Sequence, residues 1–121
     1  MAEHKFGWYE SFIANGSDLE EGQGVTIAGN QMTLVAADDV CDAVVCHAVE
    51  EGQVGTVCFF GEVDVLMAAD TAAGNIIRCQ DNGSWNAAAA TNGIARLSTG
   101  GAVGLQKAFF YGRMRLLNPD T

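Results

Sequence analysis

The sequence predicts an all-β domain, a small barrel or sandwich with an extended N-terminal arm. Three observations predict it. Apolar residues alternate with period two over short runs. Gly, Asn and Asp punctuate those runs about every 8–12 residues. No stretch of helical period is long enough to stand alone in water. The composition agrees: 121 residues hold 15 glycines, one proline (Pro119), 49% hydrophobic and only 17% charged side chains. That length bounds one domain's worth of chain with a single core.

Residues 1–24, MAEHKFGWYESFIANGSDLEEGQG, read as the arm. They carry four aromatics, Phe6, Trp8, Tyr9 and Phe12, without a clean helical or strand period, and Gly16, Gly22 and Gly24 break the second half. Aromatics on a terminal segment either pack on their own domain or anchor on a partner. Residues 25–121 are expected to form the β domain. Val25-Thr-Ile-Ala is short and β-branched, and Gly29-Asn30 turns it into Gln31-Met-Thr-Leu-Val. After a break at Asp38, Asp39 and Asp42 comes the apolar run Ala43-Val-Val-Cys-His-Ala-Val, and Glu50-Glu51-Gly52 turns again. Val54 to Phe60 reads as a strand, and Glu62-Val-Asp-Val-Leu-Met alternates strictly, the mark of a half-buried strand. Residues 68–75 turn, Asn75-Ile-Ile-Arg-Cys-Gln is a strand, and Asp81-Asn82-Gly83-Ser84 closes a hairpin before Trp85. Gly93-Ile-Ala-Arg-Leu and Leu105-Gln-Lys-Ala-Phe-Phe-Tyr are strands, Arg113-Met-Arg-Leu-Leu alternates, and Asn118-Pro119 ends the domain.

One line is written nearly twice. GQVGTVCFFGEVDVL (52–66) and GAVGLQKAFFYGRMRLL (101–117) each open G-x-V-G, pass a phenylalanine pair to a glycine, and close in alternation. Gly52 and Gly55 match Gly101 and Gly104 at a displacement of 49 residues, and the match then slips twice. Two hairpins with a glycine kink would look this way; so would two related lobes. The first copy is acidic (Glu62, Asp64) and the second basic (Arg113, Arg115).

That contrast runs through the chain. Six Lys and Arg stand against fifteen Asp and Glu, a net charge of −9. Residues 1–77 hold one base (Lys5) and thirteen acids, net −12; residues 78–121 hold five bases and two acids, net +3. The whole repels nucleic acid and anionic membrane. Either the halves mix in space, or a basic C-terminal region meets acidic surface on a partner or a sister subunit.

Chemistry is sparse. No P-loop, G-x-S-x-G, H-E-x-x-H or dinucleotide fingerprint is present. Cys41, Cys46, Cys58 and Cys79 show no C-x-x-C and read as buried reduced thiols rather than metal ligands. Cys46 and His47 are strand neighbours whose side chains point to opposite faces, so they form no dyad. Asp38, Asp39 and Asp42 are an acidic cluster of the kind a hydrolase or a calcium site would use, but they match no EF-hand loop. No apolar run approaches the roughly 20 residues that span a bilayer, and the first 25 residues lack a signal-like apolar core, so a soluble chain made in a cytoplasm is expected. No enzyme activity, cofactor or metal is expected.

Gly22-Gln-Gly-Val opens the first strand; Cys41-Asp-Ala-Val-Val-Cys-His-Ala-Val-Glu-Glu-Gly-Gln-Val-Gly passes through an acidic-glycine turn to a strand that ends in glycine and alternating valines. Ala72-Ala-Gly-Asn-Ile-Ile, Asp81-Asn-Gly-Ser-Trp and Asn92-Gly-Ile-Ala-Arg-Leu follow, with Gly101-Ala-Val-Gly before the last strand. From Gly22 to Leu117 this order of motifs resembles the small capsid decoration proteins of tailed phages, also called cement or head-stabilisation proteins. The resemblance implies a β-barrel or sandwich on the outer surface of an assembled capsid, clamping neighbouring major capsid protein subunits against the pressure of packaged DNA. It implies self-association, a homotrimer rather than a dimer, a non-enzymatic role, and synthesis in the host cytoplasm before attachment to the virion. The interface residues it leads us to expect are Phe6, Trp8, Tyr9 and Phe12 on the arm and Arg113 and Arg115 at the end of the domain. Two alternatives stand beside it: another virion part, in the tail or at the head junction, and a small-molecule-binding β-barrel with a pocket lined by Trp85 and Phe59.

Overall fold

A computed structural model describes residues 7–36, 40–88 and 93–112, without the side chain of Asp81. Phe6, Asp38, Asp39, Arg113 and Arg115 lie outside the described residues. The all-β class is what the structure shows. Among the described residues nine strands run in chain order: β1 (Gly7–Ala14), β2 (Gly24–Ala28), β3 (Gln31–Leu34), β4 (Ala43–Val45), β5 (Val54–Met67), β6 (Ile76–Cys79), β7 (Trp85–Ala87), β8 (Ala95–Leu97) and β9 (Gly104–Phe110). A single 3-10 turn, Asp81–Gly83, closes the β6–β7 hairpin, with Asn82 at φ 67°. Asn tolerates that left-handed conformation better than most residues, and its Oδ1 accepts the Ser84 N–H.

The strands lie in the order β1-β3-β2-β4-β5-β7-β6-β8-β9, and two further pairings, β1 with β5 and β5 with β9, close it on itself twice. The result is two five-membered rings that share β5. Each ring has the same plan: its first strand pairs the third in parallel, and every other pairing is antiparallel. We call them lobe 1 (β1–β5) and lobe 2 (β5–β9).

The registers coincide as well as the order. Gly24 and Val25 pair Val44 and Ala43; Ile76 and Ile77 pair Arg96 and Ala95, each residue displaced by 52. Val45 pairs Val57, and Leu97 pairs Ala108, so the last strand is displaced by 51. Even the loops correspond. Asp18 Oδ1 accepts the Glu51 N–H at 2.9 Å, and Asp70 Oδ1 accepts the Val103 N–H at 3.0 Å, again 52 residues on. The Leu19 carbonyl accepts from Val49 N, and the Thr71 carbonyl from Gly101 N, both at 2.9 Å. Two related lobes are therefore built, but not at the displacement of 49 that the glycines suggest. Glycines recur in turns, where any nearby position with a positive φ serves; Gly52 (φ 87°), Gly101 (φ 117°) and Gly104 (φ 116°) all use one. The repeated lines are also not two hairpins. Among the described residues the first line lies in β5 and the second in β9, each the last strand of its lobe, and the two pair with each other from Gly61↔Phe110 to Met67↔Gly104.

Each lobe has its own core. In lobe 1, Ala14, Leu19, Val25, Met32, Ala43, Val45, Val49 and Val57 are buried together. In lobe 2, Met67, Ile77, Trp85, Ala95, Leu97 and Ala108 take the matching positions, and Trp85 packs edge-on against Phe110 at 5.9 Å. Complete burial of one such side chain stabilises by roughly 1.5–3 kcal/mol. The lobes pack directly, because β4 and β5 are covered on both faces. Val45 and Val57 point into lobe 1, whereas Val44 and Cys58 join the lobe 2 core. A strand buried on both faces loses its alternation, which is why Ala43-Val-Val-Cys reads as an unbroken apolar run.

Three hydrogen bonds hold the seam. The Gly22 carbonyl accepts from Leu66 N and from the buried Trp85 Nε1, both at 3.0 Å. Asn82 N donates to the Val35 carbonyl at 2.9 Å. Gly22 sits at φ +88°, and a Cβ there would stand 2.6 Å from Leu66 N, so the close approach requires glycine.

Candidate interaction surface

The expected aromatics Trp8, Tyr9 and Phe12 lie on β1, which pairs with β5 from Gly7↔Gly61 to Ile13↔Val54. A bulge between Trp8 and Tyr9 leaves Phe59 as the extra residue on β5. Phe59 thereby comes between the two outer rings: Trp8 stacks on it at 4.9 Å and Phe12 meets it edge-on at 5.7 Å. Phe12 and Phe59 pack against the lobe 1 core, while Trp8 remains 54% exposed. Trp8 is thus the outer end of an aromatic row rooted in the core, and its Nε1 donates to Glu10 Oε2 at 2.6 Å. Tyr9 faces the other way. It packs against the lobe 2 core, donates its hydroxyl to the Glu62 carbonyl at 2.6 Å, and has its pKa pushed up to about 12 by burial and by Cys58 and Cys46 beside it. Sequence reasoning grouped the three aromatics; the strand's alternation divides them between the lobes.

The far edge of β1 is a second feature. Only Ile13 and Ala14 pair with β3, so from Gly7 to Phe12 that edge has no strand partner among the described residues. Unpaired strand edges accept added strands, and a charge such as Glu10 tempers that tendency.

The described bases, Arg78, Arg96 and Lys107, all belong to lobe 2 and all point outward from β6, β8 and β9. Adjacent pairing brings them onto one wall: Arg96 lies opposite Ile76 and opposite Phe109, one step diagonal from Arg78 and from Lys107. Acids stand in both lobes. Lobe 1 exposes Glu10, Asp18, Glu20, Glu50 and Glu51. On β5, Asp64 lies directly opposite Lys107 and Glu62 opposite Phe109, so the acidic and basic halves of the sequence mix along the β5–β9 pairing. Reasoning from sequence chose Arg113 and Arg115 for the basic side and passed over Arg78, Arg96 and Lys107; the excess of bases after residue 77 was the available signal.

The remaining candidates are structural. Asp42 is buried, and its Oδ2 accepts the Ile27 N–H at 2.9 Å. His47 is exposed, and its Nε2 accepts the Thr56 N–H at 3.2 Å. Among the described residues no three His, Cys, Asp or Glu converge as a metal site. Trp85 is part of the lobe 2 core, whereas Phe59 packs against the lobe 1 core.

No family model matches this sequence, and no curated protein matches it. The fold does match a solved one. The N-terminal base of the head fiber protein gp8.5 of bacteriophage phi29 superimposes with a TM-score of 0.66, over 85% of this chain and 92% of that one, at 13% identity.

Proposed function

We propose that this chain is a structural protein of a phage virion, carried on the outside of the head. The carrying observation is the shared fold: nearly the whole head fiber base of phi29 is matched by most of this chain. The amino-acid resemblance to capsid decoration proteins, reached from different information, leads to the same part of the particle. The finer reading is that the protein cements neighbouring major capsid subunits. An exposed Trp8 rooted in the core, a β1 edge along which no described strand runs from Gly7 to Phe12, and Arg78 and Arg96 on lobe 2 support three kinds of contact: an anchor, an added strand and charge pairing. Many copies over a shell multiply weak contacts, so no single deep pocket is required. The acids exposed on lobe 1 complement Arg78 and Arg96 on lobe 2, which supports self-association in a head-to-tail sense, closing into a ring such as a trimer rather than an isologous dimer. No catalytic group, cofactor, nucleic acid or membrane enters this reading.

The test is co-sedimentation of the purified protein with cognate capsid shells that lack it, with unassembled capsid subunits as control. Saturable binding to shells alone is the expected outcome. Binding to neither would overturn the reading. The expected contact residues enter as variants: Trp8→Ala, and separately Arg113→Glu with Arg115→Glu, each lowering shell affinity by about tenfold or more.

A further inference from the structure

Cys41 and Cys79 come from different lobes and meet at the seam. Cys41 precedes β4 in lobe 1 and is buried; Cys79 ends β6 in lobe 2 and is partly exposed. Both pack in the lobe 2 core. Between them lies Gly24, the first residue of β2, and its φ is not the reason it is glycine. A Cβ there would overlap the Cys79 Sγ and stand 2.8 Å from the Cys41 Sγ. Glycine makes the room into which both sulfurs project, each donating to a carbonyl of its own strand end: Cys41 Sγ to Ala43 O at 3.5 Å and Cys79 Sγ to Gln80 O at 3.4 Å. Two thiols gathered over one missing side chain are placed to be joined.

We propose that Cys41 and Cys79 form a reversible disulfide that locks lobe 1 to lobe 2, with a low-molecular-weight disulfide such as oxidised glutathione as the co-reactant. The partly exposed Cys79 thiolate attacks one sulfur of the glutathione disulfide and expels one glutathione. Cys41 then loses its proton and displaces the second glutathione from Cys79. Two protein thiols give up two protons and two electrons; one glutathione disulfide becomes two thiols. Cys79 is the attacking group because it is partly exposed whereas Cys41 is buried. Burial, Cys79 and Asp42 all disfavour the Cys41 thiolate, so the second step is the slow one and quickens as pH rises. The consequence for a particle rests on the functional reading above: the pair stays reduced in a host cytoplasm and closes once the particle leaves it. The chemistry itself does not rest on that reading.

The full-length protein, incubated with oxidised glutathione, alkylated and digested without reduction, decides the matter by peptide mass mapping. The expected product is a Cys41–Cys79 linked peptide with Cys46 and Cys58 alkylated, and a Tm at least about 5 °C above the reduced protein, reversed by dithiothreitol. Gly24→Ala should cut the yield of the link at least about tenfold by wedging the sulfurs apart. If that variant fails to fold, the wild-type map still stands. A glutathione adduct that persists on Cys79, a link through Cys46 or Cys58, or a linked protein with an unchanged Tm would each overturn the proposal. Shell binding is not involved in this assay, so its outcome is independent of the proposed role.

Discussion

At the residue scale, neighbours on one strand do different work. Trp8 and Tyr9 are adjacent, yet one ends exposed on lobe 1 and the other packs against lobe 2. Trp8→Ala removes a side chain that is already half in water, so unfolding free energy should fall by less than about 1 kcal/mol. Phe12→Ala uncovers part of the lobe 1 core and should cost about 2–4 kcal/mol. Urea denaturation of both variants checks the contrast, and equal losses would show that Trp8 belongs to the core. Tyr9 makes a pH prediction. Its phenol ionises near 10 when unfolded and near 12 when folded. The stability it contributes is therefore complete below pH 10 and is lost as pH rises from 10 to 12. Tyr9→Phe should flatten that part of the stability curve and remove the highest-pH phenolate absorbance step.

At the element scale, the equivalence of the two rings is the testable claim. Asp18 and Asp70 each hold the turn that leads into the last strand of a lobe. Asp18→Ala and Asp70→Ala should cost similar amounts, about 0.5–1.5 kcal/mol each, and should add in the double variant. A cost confined to one of them, read from urea midpoints, would sink the equivalence. The β5 strand carries a different burden. Its first half closes lobe 1 and its second half opens lobe 2, so it reads in sequence as two strands broken at Gly61 although it runs unbroken for 14 residues. β1 was hard to read for a related reason. Its inward residues pack in two different cores, and the bulge at Trp8 and Tyr9 shifts the register, so no simple period survives.

At the scale of the whole molecule, two lobes joined along one strand and one seam should unfold together. Gly22→Ala strains a positive φ and drives a methyl group at Leu66 N, in the place where one carbonyl serves both Leu66 and Trp85. It should cost about 2–3 kcal/mol or more and separate the transitions of the two lobes, with Trp85 fluorescence and far-ultraviolet dichroism no longer coincident. A single coincident transition with unchanged midpoint would show that the seam contributes little. Salt reports on the proposed pairing of copies. Contacts between the acids of lobe 1 and Arg78 and Arg96 of a second copy should weaken as ionic strength rises past the physiological range, checked by light scattering, because exposed pairs are screened over about 8 Å.

The class, most of the strands, the hairpin at Asp81–Ser84 and the fact of a repeat are legible in the sequence, because alternation, turn residues and glycine placement are local quantities. So is the excess of bases after residue 77, since composition needs no coordinates, but not that β5 brings Asp64 opposite Lys107. Pairing is not local. Which strand closes which ring, the true displacement of 52 and 51 residues rather than 49, and the meeting of Cys41 with Cys79 over Gly24 depend on contacts between residues far apart in the chain. Only the tertiary structure decided these, because a glycine that turns the backbone and a glycine that makes room for two sulfurs are the same letter until the fold brings its neighbours to it.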